Sequence, residues 1–137
     1  MATRFVDTNI FLRYLTRDDP LKAQRCFELF QSVKAGREDA TTSESVIAEV
    51  VYVLSSPKHY DVSREQIRQL LVPMLTLRTM RLNNRRTYLR ALDLFVDYAI
   101  DFEDALSIAH MERQGLTSIL SYDRDFDQVP EIIREEP

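Results

Sequence analysis

Apolar residues recur along this chain in two rhythms, short continuous runs and steps of three or four, and the rhythms alternate. Phe5-Val6 is a short run within residues 4–7 and predicts a buried strand. Behind it, Ile10, Phe11, Tyr14 and Leu15 share one face of a helix over residues 9–16. Asp19-Pro20 opens a second helix, with an acceptor side chain at the cap and proline at the first position. Its apolar stripe is Ala23, Cys26, Phe27 and Phe30, and Gly36 closes it. A strand is expected at 39–42. A helix is expected over 43–55, with Val46, Ile47, Val50, Val51 and Leu54 inward and Pro57 ending the segment. Ser63 caps a further helix expected to run to about Leu71, with Pro73 and Met74 at a frayed end. The rest reads as a strand at 79–82, a helix over 84–98 burying Tyr88, Leu92, Phe95 and Val96, and a helix over 102–114 between Asp101 and Gly115. A β-branched strand at 117–121 and an edge strand at 129–133 complete the pattern.

Strands alternating with helices predict an α/β fold. Its central sheet would be mainly parallel, of four to five short strands, with helices on both faces. A length of 137 residues, without repeats or a linker rich in Gly, Ser or Pro, fits a single domain, 1–137. No apolar run approaches the roughly 20 residues of a membrane span, and no apolar stretch of signal-peptide type precedes Asp7. A cytoplasmic protein without membrane partners is the expectation.

Composition removes several kinds of chemistry. Cys26 is alone, so no internal disulfide forms, and His59 and His110 are too few and too distant for a structural zinc site. Gly36 and Gly115 are the only glycines, which excludes both glycine-rich phosphate loops. The net charge of −4 argues against a generally basic nucleic-acid binder. Among 18 basic residues, 15 are Arg, a side chain suited to bidentate phosphate contacts, although biased base composition produces the same excess.

Four acids stand where open α/β folds place their chemistry. Asp7 and Asp123 each follow a predicted strand, at the carboxyl edge of a parallel sheet. Asp104 lies in the first turn of the helix that feeds strand 117–121, and such a helix begins at that same edge. Each has a plainer account: Asp7 as a helix cap, Asp104 as a partner of an Asp101 cap, and Asp123 as a turn initiator. Two observations favour convergence. Asp104, Ile108 and Met111 follow i, i+4, i+7 spacing, so an acid sits over an apolar stripe, which is costly unless satisfied. Like charges brought together also resist ionising, and one shared divalent cation resolves that conflict. On helix 43–55, Glu49 and Glu44 lie about equally far off the buried face. Glu44 is explained as a first-turn charge, and Glu49 is the less explained of the two. Asp125 has a claim to an auxiliary ligand role, Asp127 a lesser one.

These segments resemble a known group. Phe5-Val6-Asp7-Thr8-Asn9, Ser45-Val46-Ile47-Ala48-Glu49-Val50, Asp101-Phe102-Glu103-Asp104-Ala105-Leu106 and Ser121-Tyr122-Asp123-Arg124-Asp125-Phe126 together are similar to PIN-domain nucleases, specifically the small VapC-type toxins of type II toxin–antitoxin systems. Each motif alone is weak, but all four occur in order over essentially the whole chain. The resemblance implies an acidic quartet of Asp7, Glu49, Asp104 and Asp123, choosing Glu49 over Glu44, with Thr8 and Asn9 as supporting groups. Ser121 stands where the family more often has Thr, and the hydroxyl is kept.

Oxygen ligands of this kind suit Mg²⁺, with Mn²⁺ as substitute. The activity implied is a metal-dependent endoribonuclease, with RNA as substrate, a cognate antitoxin protein as partner and a homodimer as the usual assembly. Arg13, Arg17, Arg85, Arg86 and Arg124 are candidates to hold phosphates, each equally readable as a solvated helix face. The rivals are a PIN nuclease of RNA maturation or decay without an antitoxin, an inactive PIN-like module, and a receiver-like phosphoacceptor. The last needs an acid pair ending the first strand and a late Lys, whereas Asp7 stands alone and no Lys follows Lys58.

Overall fold

The computed structural model describes residues 2–137. Among them are six α-helices and four short strands, all strand pairs parallel, which makes the fold α/β. By internal packing the chain divides into two compact units, Met1–Arg85 and Arg86–Pro137. No helix among the described residues is long and apolar enough to cross a membrane.

The first unit runs β1 (Arg4–Phe5), α1 (Thr8–Thr16), α2 (Pro20–Lys34), β2 (Ala40–Thr41), α3 (Glu44–Ser55) and α4 (Arg64–Leu75). Strand β1 pairs in parallel with β2, Arg4 opposite Ala40 and Phe5 opposite Thr41. The expected strand at 79–82 contracts to a single parallel bridge, Ala40 with Met80. Strand β1 is also not the buried strand expected: Phe5 is 58% exposed, and Val6, just past the strand, is the buried residue. Packing is carried by the helices. Phe11 of α1 meets Phe30 of α2 at 5.6 Å between ring centroids, and Tyr14 lies 4.8 Å from the same ring. Ile47, Val50 and Leu54 of α3 and Ile67, Leu71 and Leu75 of α4 are fully buried or nearly so.

Helix α4 continues past the expected end near Leu71, with Pro73 inside it. A proline at that place removes one hydrogen bond, at the carbonyl of Gln69. Gln69 is exposed, so water can take that carbonyl, while Leu71, Met74 and Leu75 bury their side chains and hold the extra turn. Arg85 seals the following loop: its Nε donates to Leu75 O at 2.8 Å, and its Nη2 donates to Leu77 O at 3.1 Å and Met80 O at 2.5 Å.

The second unit comprises α5 (Arg85–Asp97, from Arg86 onward), α6 (Phe102–Arg113), β3 (Ser118–Leu120), a 3₁₀ helix (Arg124–Gln128) and β4 (Ile133–Glu135). Tyr88, Leu92 and Phe95 are buried as expected, joined by Ala91 and Leu94. Phe95 meets Phe102 edge-on at 6.1 Å. Gly115 closes α6 with φ 70, the left-handed conformation a helix end requires, and Leu116 N–H reaches back to Met111 O at 2.9 Å. Strand β3 pairs in parallel with β4, Ser118 opposite Ile133. The final strand therefore lies at 133–135 rather than the expected 129–133. Val129 instead ends the 3₁₀ helix, and Pro130 has no N–H to give a ladder.

Candidate metal centre

In the first unit, Asp7 is aimed by the end of β1. Val6 N–H donates to Thr41 O at 2.8 Å, and Val6 O accepts from Thr42 Oγ1 at 2.9 Å, so the residue before Asp7 is held from both sides. Asp7 then caps α1, its Oδ1 accepting the Thr8 N–H at 2.8 Å. The plain capping account is thus correct as geometry. It uses one carboxylate oxygen of an exposed residue and is compatible with a second task for the other. Thr8 is buried, and its hydroxyl donates to Glu49 Oε2 at 3.0 Å. That bond ties the start of α1 to the middle of α3 and orients an otherwise exposed carboxylate. Glu44, the rival acid, is half-buried and accepts a hydrogen bond from Asn84 Nδ2. Asn9 is exposed.

In the second unit, Asp101 caps α6 and its Oδ1 accepts the Asp104 N–H at 2.8 Å. Asp104 sits one and two turns before the buried Ile108 and Met111, and its own side chain is half-buried. Beyond β3 the chain turns tightly. Ser121 Oγ accepts from Asp123 N–H at 3.0 Å, and Asp123 Oδ1 accepts from Asp125 N–H at 2.9 Å, opening the 3₁₀ helix. A parallel strand's carboxyl end and the start of the helix feeding it meet here as the sequence implies. Carboxylate oxygens of Asp104, Asp123 and Asp125 all lie within 4.8 Å of one another. Asp125 belongs to this trio as fully as the other two.

Electrostatics mark Asp104 as the strained member. Burial, the neighbouring Asp101 charge, and then Asp123, an Asp101 hydrogen bond and Asp125 push its pKa up to about 6. The donor set fits a hard divalent cation. Opposite oxygens around octahedral Mg²⁺ stand about 4.2 Å apart, so the trio needs only a small contraction to share one. A cation there would also remove the repulsion that keeps Asp104 protonated.

One supporting residue escaped the sequence reading. Arg134 on β4 donates to Ser121 O at 3.0 Å and pairs with Asp127 at 3.0 Å and Glu136 at 2.6 Å. It fastens the turn carrying Asp123 and Asp125 to the neighbouring strand. A lone arginine in a charged tail offers no sequence signal for that role. The phosphate candidates also separate. Arg13 is paired with Asp18 at 2.8 Å, Arg17 lies over the Phe27 ring at 5.6 Å, and Arg85 is consumed by backbone carbonyls. Arg86 and Arg124 are exposed and make no ion pair among the described residues.

Both acid groups thus occupy structured, carboxyl-end positions: Asp7 and Glu49 in the first unit, Asp104, Asp123 and Asp125 in the second. The sequence matches the PIN domain over residues 4–132. The chain belongs to the PIN domain family. No curated protein gives a significant match. PIN domains are generally metal-dependent nucleases, so membership implies nuclease chemistry and a divalent cation. The acidic trio of the second unit supplies donors of the required kind.

Proposed function

We propose that this PIN domain is a Mg²⁺-dependent endoribonuclease, with Mn²⁺ as substitute, acting in the cytoplasm as the toxin of a type II toxin–antitoxin pair. Asp7, Glu49, Asp104 and Asp123 are its catalytic acids, and Asp125 joins them as a ligand. The observation that carries the reading is Asp104: half-buried, crowded by like charges and held near a pKa of about 6. A protein gains nothing structurally from such a carboxylate, whereas a cation-dependent site requires it.

Divalent cations held by carboxylates activate water and offset the charge of the phosphate being cut. The chain's own part is positional. Asp101, Ser121 and Arg134 fix the second unit's acids, and Thr8 and Thr42 fix those of the first. The toxin assignment, with a cognate antitoxin and a homodimer, rests on the four VapC-like motifs and the small size of the chain.

RNA cleavage by the purified protein with and without Mg²⁺ tests this reading. The expected result is cleavage that stops with chelator and is lost in Asp7→Asn and Asp104→Asn, both variants remaining folded by circular dichroism. Cleavage unchanged in both variants refutes the assignment. Release of growth arrest by the product of an adjacent small gene tests the toxin role.

A further inference from the structure

Two large side chains flank Asp123 and are used by nothing else in the structure. Tyr122 is 70% exposed, and Arg124 is exposed with no ion pair among the described residues. Both facts run against local opportunity. Arg124 stands between Asp123 and Asp125, yet those carboxylates gather with Asp104, and Asp127 pairs with Arg134 instead. The other arginines of the same segment, Arg90, Arg113 and Arg134, are all engaged, with Glu112, Thr87 and Asp127. An aromatic ring left this far in water also costs solvation that a buried tyrosine avoids.

The turn holding these residues is fixed. Ser121 accepts from Asp123 N–H, Asp123 accepts from Asp125 N–H, and Arg134 clamps Ser121 O. Tyr122 and Arg124 are therefore presented from a rigid base, as chain neighbours of an acid in the proposed cutting site. A ring that stacks a base and a guanidinium that takes a phosphate are the two elements by which proteins hold single strands without reading sequence. A paired base inside a duplex offers no free face to such a ring.

We infer that Tyr122 and Arg124 form a subsite for single-stranded RNA, Tyr122 stacking an unpaired base next to the cut phosphodiester and Arg124 contacting a phosphate. This rests on the nuclease reading and names its substrate class. Arg124 also offsets, for an approaching phosphate, the repulsion of the three acids beside it.

The test is fluorescence anisotropy in Mg²⁺ with the Asp104→Asn background, using a labelled 12-nucleotide unstructured RNA, the same strand in a duplex, and the same strand with abasic sites. The single strand is expected to bind at least about 10-fold more tightly than the duplex or the abasic strand. Tyr122→Ala should remove that preference, Tyr122→Phe should keep it, and Arg124→Ala should weaken all three strands and flatten the salt dependence. In the cleaving protein, Tyr122→Ala should raise KM about 10-fold with kcat little changed. Equal binding of single strand and duplex, or a Tyr122→Ala variant that retains the preference, overturns the inference. Strand-selective binding without any cleavage by the unaltered protein supports the subsite and defeats the nuclease reading, so the two failures are distinct.

Discussion

Replacing Asp104 by Asn should make this protein more stable at neutral pH, the opposite of what removing a hydrogen-bonded structural acid does. The pKa of Asp104 rises from 3.8 to about 6, chiefly through burial and the Asp101 and Asp123 charges. The folded chain therefore holds a proton that the unfolded chain has released across that interval. Stability from this group is fully present below about pH 4 and is lost as pH rises through about 6. Two pK units correspond to about 3 kcal/mol at most. Because the side chain is partly solvated, we expect roughly 1 kcal/mol to survive screening. Asn keeps the shape and can donate to Asp101 as the protonated acid does, without the charge. Urea denaturation in chelator at pH 7.5 should place Asp104→Asn about 1 kcal/mol above the parent, or about 3–5 °C higher in Tm, and the difference should vanish at pH 4. Equal destabilisation at both pH values would show that Asp104 is structural and refute the reasoning. Divalent cation should then stabilise the parent and leave the variant unmoved.

Two further outcomes follow from particular contacts. Arg85→Ala should cost about 2–4 kcal/mol in urea denaturation, because the carbonyls of Leu75, Leu77 and Met80 lose their donor together. Arg85→Lys should recover only part of that, and a loss below about 0.5 kcal/mol contradicts the clamp. Thr8→Val removes the donor that orients Glu49 while keeping the side chain's volume. It should lower metal-dependent kcat roughly 10- to 100-fold with a stability change near 1 kcal/mol, and Thr8→Ser should restore activity. Unchanged turnover in Thr8→Val would detach Glu49 from the reaction.

Local chemistry made the helices legible. Asp19, Ser43, Ser63 and Asp101 are acceptor side chains ahead of periodic apolar runs, and each caps its helix by accepting a backbone N–H. The strands were less legible, because two or three residues carry too little periodicity to set register. Residues 129–133 looked apolar enough for an edge strand, but pairing depends on which N–H groups are available, and Pro130 has none. Pro73 misled in the other direction, because burial of Met74 and Leu75 outweighs one carbonyl left to water. Within the site, the conflict at Asp104 could be read from an acid placed over Ile108 and Met111. The nearness of Asp125 could not, since it depends on the turn that Ser121 and Arg134 hold closed.

The central claim is that these acids hold a divalent cation, and calorimetric titration with Mn²⁺ at pH 6 tests it most directly. At that pH Asp104 is about half protonated, so binding should release a fraction of a proton, seen as a heat that changes with the ionisation enthalpy of the buffer. The account predicts saturable Mn²⁺ binding with proton release by the parent protein, and affinity reduced at least about 10-fold in Asp104→Asn and Asp123→Asn. Mn²⁺ binding of equal strength in both variants, or no binding by the parent, would contradict it.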